Sequence, residues 1–264
     1  MEDLPPVVRE PEVYLVSKQT VVQQELDRFL SNEGYVWDYA DRLSWPSELV
    51  VESAGRLCYL SFGAGRSDLQ AYMDNILASR HGSVLEHAVW GFIFTGISRS
   101  LTHELVRHRA GMAYSQLSQR FVDEGKAKFV MPPAIQGHTE EEQQWLREVA
   151  DDLANYIARV ERMMAWPEFK TITNRTERRK MVREAARTNL PNATETMIFA
   201  TGNARAWRNI IELRVSTHAE AEIRRLQYKV ALILRREAPH IFGDYTFSPL
   251  PDGTFEASTP NLKV

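Results

Sequence analysis

The chain has 264 residues, 44% of them hydrophobic and 25% charged, with a formal net charge of -3. That is the profile of an ordinary globular protein with enough length to bury a large core. No overall positive field exists to recruit nucleic acid or an anionic membrane, so a polyanion could bind only at a local basic cluster. No apolar run approaches transmembrane length, and the first eight residues carry acids and prolines where a signal peptide has an apolar core. The single cysteine, Cys58, excludes an intrachain disulfide and a cysteine-rich metal site. A cytoplasmic protein is the expectation.

In chain order, Glu12 to Val16 predicts a short strand, and Val21, Val22, Leu26, Phe29 and Leu30 share one helical face. A second helix is predicted from Ser47 to about Tyr59, entered through Pro46, with Cys58 on its apolar side as a small buried hydrophobe. Ser67 and Gln70 form a capping-box pattern before Leu69, Tyr72, Met73, Ile76 and Leu77. Ala88 to Phe94 reads as a buried strand, and Ser98 to Val106 as a helix. Thr139 with Glu142 opens the clearest helix, which Pro167 ends, and another runs from Asn174 to Thr188. Thr194 to Thr201 has β character, and Gly202-Asn203 starts a helix through Leu213. Thr217 and Glu220 make a second capping box, opening a helix that Pro239 stops. Pro251-Asp252-Gly253 is the turn of a terminal hairpin. With no repeat or linker, residues 1–264 read as one domain of mixed α and β.

The chemistry concentrates in Arg107-His108-Arg109 and the residues through Tyr114-Ser115-Gln116-Leu117-Ser118-Gln119-Arg120. Three arginines, a histidine and two serines lie there without one acidic residue. A solvated basic helix face would interleave Glu or Asp at three- or four-residue spacing. The planar guanidinium fork suits phosphates and carbonyl edges, so the stretch predicts a pocket for an anionic ligand. Side chains at the end of a helix, and not a glycine-rich backbone nest, would line it. Arg187, beside the break at Leu190-Pro191-Asn192, can turn into the same kind of cleft.

Other chemistries lack their signatures. Gly63-Ala64-Gly65 misses the third glycine of a dinucleotide fingerprint, and there is no Walker loop or Gly-x-Ser-x-Gly elbow. The pairs His81 with His87 and His103 with His108 have no third ligand at metal spacing, so no metal is expected.

Arg107-His108-Arg109 followed by Ser118 resembles the signature of the flavin-dependent thymidylate synthases. Ser83-Val84-Leu85-Glu86-His87, Ile97-Ser98-Arg99-Ser100, Tyr114 to Arg120, Leu190 to Thr196, and Asn203-x-Arg205 before Arg214 and His218 are similar to that family in the same order. The resemblance covers about residues 50 to 240. One spacing departs from it: the family has seven residues between triplet and serine, and here residues 110 to 117 make eight. The extra residue falls within Ala110-Gly111-Met112-Ala113, where Gly111 could absorb it as a bulge.

The resemblance implies an α+β fold, an antiparallel sheet packed with long helices and unlike a Rossmann domain. It implies a homotetramer with shared active sites that turns dUMP into dTMP. Methylenetetrahydrofolate would give the carbon, and FAD reduced by NADPH the hydride. Carried over residue by residue, Arg107, Gln116, Leu117, Ser118, Gln119, Arg120, Arg187 and Arg214 would meet dUMP, with Glu104 beside them. Arg214 at the uracil edge would stabilise charge as C5 becomes nucleophilic. Ser118 would orient the nucleotide without attacking it. FAD would contact Ser83, Glu86, Arg107, His108, Arg109, Gln116, Asn203, Arg205, Asn209 and His218, with His81 on the folate side. The cysteine-dependent thymidylate synthases need an accessible thiolate in an electropositive place, which Cys58 does not offer by sequence. Two rival readings stand beside this one. The first is a folate- and flavin-dependent methyltransferase acting on uracil in RNA. The second is a non-enzymatic single-stranded RNA binder stacking bases on Trp90 and Tyr114.

Overall fold

The computed structural model describes residues 4–264. A two-residue strand β1 (Val7–Val8) precedes β2 (Glu12–Lys18) and α1 (Gln23–Glu33). Leu30 of α1 is buried with Trp37, Tyr39, Leu49 and Phe62, and Val21, Leu26 and Phe29 pack against them. Val22 is instead 67% exposed at the helix entrance. The predicted second helix is α2 (Pro46–Cys58), with proline in the first turn, where its missing N–H costs nothing. Cys58 does not behave as predicted: it is exposed. It belongs to the last turn, where Leu57, Tyr59 and Leu60 also face solvent and Leu60 adopts a left-handed φ of 46°. The face of α2 that is buried carries Leu49, Val51, Glu52 and Arg56.

Helix α3 (Leu69–Ala78) is capped by Asp68, whose carboxylate accepts from the Ala71 N–H at 2.8 Å. The predicted capping-box serine lies one residue earlier. Next come α4 (Gly82–Leu85), β3 (Val89–Ser98) and α5 (Arg99–Leu105), the last capped by the Ser98 hydroxyl. The triplet therefore follows the end of α5, as expected. The residues beyond it form a strand, β4 (Met112–Gln116). The pair β5 (Phe129–Val130) lies parallel to β1.

Helix α6 (Thr139–Met164) begins at Thr139 with three acids in its first turn, where the helix dipole favours them. Glu142 reaches back to the Gly137 N–H at 2.7 Å and forms an ion pair with Arg9. After α7 (Pro167–Lys170), α8 (Arg175–Ala186) starts at an Asn174 cap and runs into a 3-10 turn over Arg187–Asn189. Strand β6 (Glu195–Asn203) leads into α9 (Ala204–Arg214), capped by Asn203. Helix α10 (Ala221–Glu237) then has no side-chain cap. The second predicted capping box does not form, because the Thr217 hydroxyl bonds Glu256 at 3.1 Å. A short α11 (Pro239–Phe242) precedes the hairpin of β7 (Thr246–Pro249) and β8 (Phe255–Ser258).

The main sheet is antiparallel and ordered β2-β3-β6-β4, a non-Rossmann α+β architecture. The chain divides into two compact units. One comprises the N-terminal stretch to Glu12 with Phe94–Arg107 and Ser115–Ile198; in it α6 packs on α8. The other comprises Val13–Ile93, His108–Tyr114 and Phe199–Val264; in it α10 packs on α9 and α11. Among the described residues no helix is long and apolar enough to cross a membrane.

Candidate active site

The first unit holds every predicted nucleotide residue except Arg214, which belongs to the second. Gln116 closes β4 and donates from its amide to the Thr102 and Thr196 hydroxyls at 3.1 and 3.3 Å. Leu117 donates its N–H to the Met197 carbonyl at 2.9 Å, and a turn then begins at Ser118, whose carbonyl accepts from Phe121 and Val122. The Ser118 hydroxyl accepts weakly from the Arg120 N–H at 3.4 Å. Gln119 is buried, with its amide nitrogen unpartnered. Arg120 pairs with Glu184 at 2.7 Å, both partners partly exposed, while its buried Nε has no partner. A pair so exposed is screened by water and easily exchanged for a ligand. Glu104 accepts the Arg107 N–H through its carbonyl, and Arg107 itself is exposed.

Arg99 received no role from the sequence, yet it belongs to this cluster. It is half-buried at the start of α5, and its buried Nη1 has no partner. Burial lowers its pKa; Glu124 opposes that shift, and the positive charge of Arg187 adds to it. Two guanidinium groups within electrostatic reach, one with an unsatisfied buried donor, make a pair that can bind an anion. The sequence signal was its position immediately after the Ser98 cap, in the quoted Ile97 to Ser100 motif.

In the second unit Glu86, Asn203, Arg205 and Asn209 meet at a cavity of about 420 Å³, lined also by Ala110, Gly111, Ala206, Glu212, Lys263 and Val264. Arg205 donates to the Glu86 carboxylate at 2.7 Å and to the Val264 carbonyl at 3.2 Å. Asn203 caps α9 by accepting the Ala206 N–H at 2.8 Å, and its own N–H donates to the Gly111 carbonyl. Gly111 has the left-handed φ of 69° that a chiral residue avoids, and the turn closes from Met112 N–H to the Arg109 carbonyl at 3.2 Å. Residues 109–112 thus turn on a glycine seated against Asn203. A β-carbon at Gly111 would stand 2.6 Å from the Asn203 amide nitrogen.

His108 and Arg214 are joined: Arg214 Nε donates to His108 Nε2 at 3.0 Å. Burial first, then the Arg214 charge, lowers the His108 pKa, so the ring is neutral with its proton on Nδ1. Arg109 is exposed, and Tyr114, half-buried, has its pKa raised by burial. Ser83 lies one turn before Glu86, whose N–H it accepts. His218 is exposed in the turn before α10 and does not line the cavity. His81 lies at a separate cavity, stacked on Tyr59 with centroids 6.3 Å apart. Trp90 is 1% exposed, which removes it as a stacking surface for RNA bases.

A family model described as thymidylate synthase complementing protein matches residues 43–240. A flavin-dependent thymidylate synthase of Mycobacterium sp. (strain JLS) is 45% identical over 217 residues, covering 80% of this chain and 85% of its own length. The one from Mycobacteroides abscessus is 44% identical over 214 residues, with 80% and 84% covered. The solved structure of a UMP/dUMP methylase, PolB from Streptomyces cacaoi, bound with 5-Br dUMP, matches with a TM-score of 0.64 at 20% identity. It covers 90% of this chain and 95% of its own, a likeness of fold.

Proposed function

The chain belongs to the thymidylate synthase complementing protein family, and from that membership we propose that it methylates dUMP to dTMP. Methylenetetrahydrofolate is the carbon donor and NADPH the reductant. Bound FAD supplies the two-electron chemistry. The cavity of the second unit suits that group: a guanidinium and two carboxamides, from Arg205, Asn203 and Asn209, converge on it. Glu86, Asn203, Arg205 and Asn209 hold the cofactor, with Ser83, Arg107, His108, Arg109, Gln116 and His218 completing its contacts in a homotetramer. The exposure of Arg107, Arg109 and His218 in the single chain supports contributions from several subunits. His81 serves the folate side.

Arg99, Arg120 and Arg187 neutralise the nucleotide phosphate, and the turn from Gln116 to Gln119 holds its sugar. Arg214 faces the uracil carbonyl edge and stabilises the negative charge that develops as C5 becomes nucleophilic. Its bond to His108 fixes the guanidinium's orientation, so little reorganisation is needed at that moment. Ser118 orients the nucleotide. Cys58, at the exposed end of α2, lines neither cluster and takes no part.

One observation carries this reading. Four residues assigned to the flavin from two distant stretches, Glu86 and Asn203 to Asn209, share one cavity. The test is the absorbance spectrum of purified protein after FAD addition and gel filtration, with and without dUMP. A retained flavin spectrum that dUMP perturbs, followed by dTMP formation from the complete mixture, is expected. Colourless protein that forms no dTMP contradicts the reading.

A further inference from the structure

The wall of the flavin cavity contains a segment outside the stretch that resembles the family, residues 259–264. It is tied down from below by Arg208, which is 1% exposed. Arg208 grips Asp244 through two bonds of 2.7 and 2.8 Å and donates to the Asn261 carbonyl at 3.1 Å. Asp244 in turn accepts from the Thr259 hydroxyl and the Asn261 amide. At the cavity itself the Lys263 N–H is held between both oxygens of Glu212, at 3.1 and 3.3 Å. Lys263 has a left-handed φ of 57°, a conformation that a residue with a β-carbon keeps only when its surroundings impose it. Val264 is buried, and its carbonyl accepts from Arg205. Gly82 records the same pressure: a β-carbon there would lie 2.7 Å from both Val264 and the Arg205 Nε.

The ionisable side chains among the residues lining the cavity are Glu86 and Glu212 against Arg205 and Lys263. Arg205 is already engaged by Glu86. Without Lys263 an anionic ligand would meet two carboxylates and one paired guanidinium.

We propose that residues 259–264 form a strap closing one wall of the flavin cavity, with Glu212 as its latch and the Lys263 ammonium as a cation for the cofactor's diphosphate. The inference rests on the assignment of this cavity to FAD. Arg208 and Asp244 are positioning residues that hold the strap against α9.

The test is FAD titration of the full chain by flavin fluorescence quenching, at low and high salt, with thermal unfolding of each variant without FAD as a check on folding. Lys263→Ala should weaken binding about tenfold, the scale of one charge-assisted hydrogen bond, and Lys263→Glu should weaken it more. Both losses should shrink at high salt. Glu212→Ala separates a strap from simple charge. Removing a carboxylate from an anion site should tighten binding on charge alone, whereas releasing the strap should weaken it. Unchanged affinity in the Lys263 variants, or tighter binding in Glu212→Ala, overturns the proposal. If Arg205→Ala and Asn209→Ala lose FAD while the Lys263 variants do not, the strap fails and the flavin assignment stands. If none of the four loses affinity, the assignment of the cavity fails as well.

Discussion

Arg214 donates through Nε to His108 Nε2 at 3.0 Å, tying the last helical residue of α9 to the middle of the arginine triplet. The bond requires an unprotonated acceptor, and burial together with the Arg214 charge keeps the imidazole neutral. A base whose pKa is lower in the folded state is protonated first in the unfolded chain. Stability is therefore lost as pH falls below the ordinary histidine value of about 6.5. His108→Gln keeps an acceptor but no titrating group. Its melting temperature should fall less than that of the unaltered protein between pH 7.5 and 5.5; parallel curves would show that the ring does not titrate against this bond.

Arg99 should prove as important to the nucleotide as the arginines of the triplet region. Its buried, unpartnered Nη1 and its electrostatic contact with Arg187 mark it for a phosphate. Arg99→Gln should weaken dUMP binding by roughly 10- to 100-fold, as expected for a charged hydrogen bond of about 1.5–3 kcal/mol, and leave FAD affinity nearly unchanged. Calorimetric titration with dUMP measures the first, and fluorescence titration with FAD the second.

At Gly111 two costs coincide. Alanine there would adopt a left-handed φ, at about 1 kcal/mol, and would push on the Asn203 side chain that caps α9, a cap worth roughly 1 kcal/mol. Gly111→Ala should lose stability in urea denaturation and also lose FAD affinity. Gly253→Ala, with a φ of 76° and open space around the β-carbon, should show the backbone cost alone.

Ser118→Ala should retain measurable turnover with a raised KM for dUMP, since the hydroxyl sits in a turn as an acceptor of the Arg120 N–H. Complete loss of turnover with dUMP affinity unchanged would make Ser118 a chemical participant instead.

Local signals were legible wherever they acted locally. The periodicity of α6, the Asn174 and Asn203 caps and the terminal hairpin follow from residues close in sequence. The failures come from partners far away. Thr217 matches a capping box, but Glu256, 39 residues on, takes its hydroxyl. Strand β1 exists because Val7 and Val8 find Phe129 and Val130, a pairing that two residues cannot announce. Cys58 sits on an apolar-looking turn that the fold leaves in solvent, because the buried stripe of α2 runs through Glu52 and Arg56. That stripe is charged: Arg56 satisfies itself with Glu52 and three backbone carbonyls, so hydrophobicity misreads the inner face. At the site, the motifs identified Glu86, Asn203, Arg205 and Asn209, which share a cavity. They were silent on Lys263 and Glu212, which join it through the folding of the C-terminal segment.

The measurement that bears most directly on the whole account is dTMP production by Cys58→Ala, with FAD, NADPH, methylenetetrahydrofolate and dUMP present and with each omitted in turn. Turnover close to that of the unaltered chain, abolished when FAD is withheld, is the predicted result. A chain that makes dTMP only while Cys58 is intact, or that makes it equally well without FAD, would contradict a flavin-driven methylation guided by arginines.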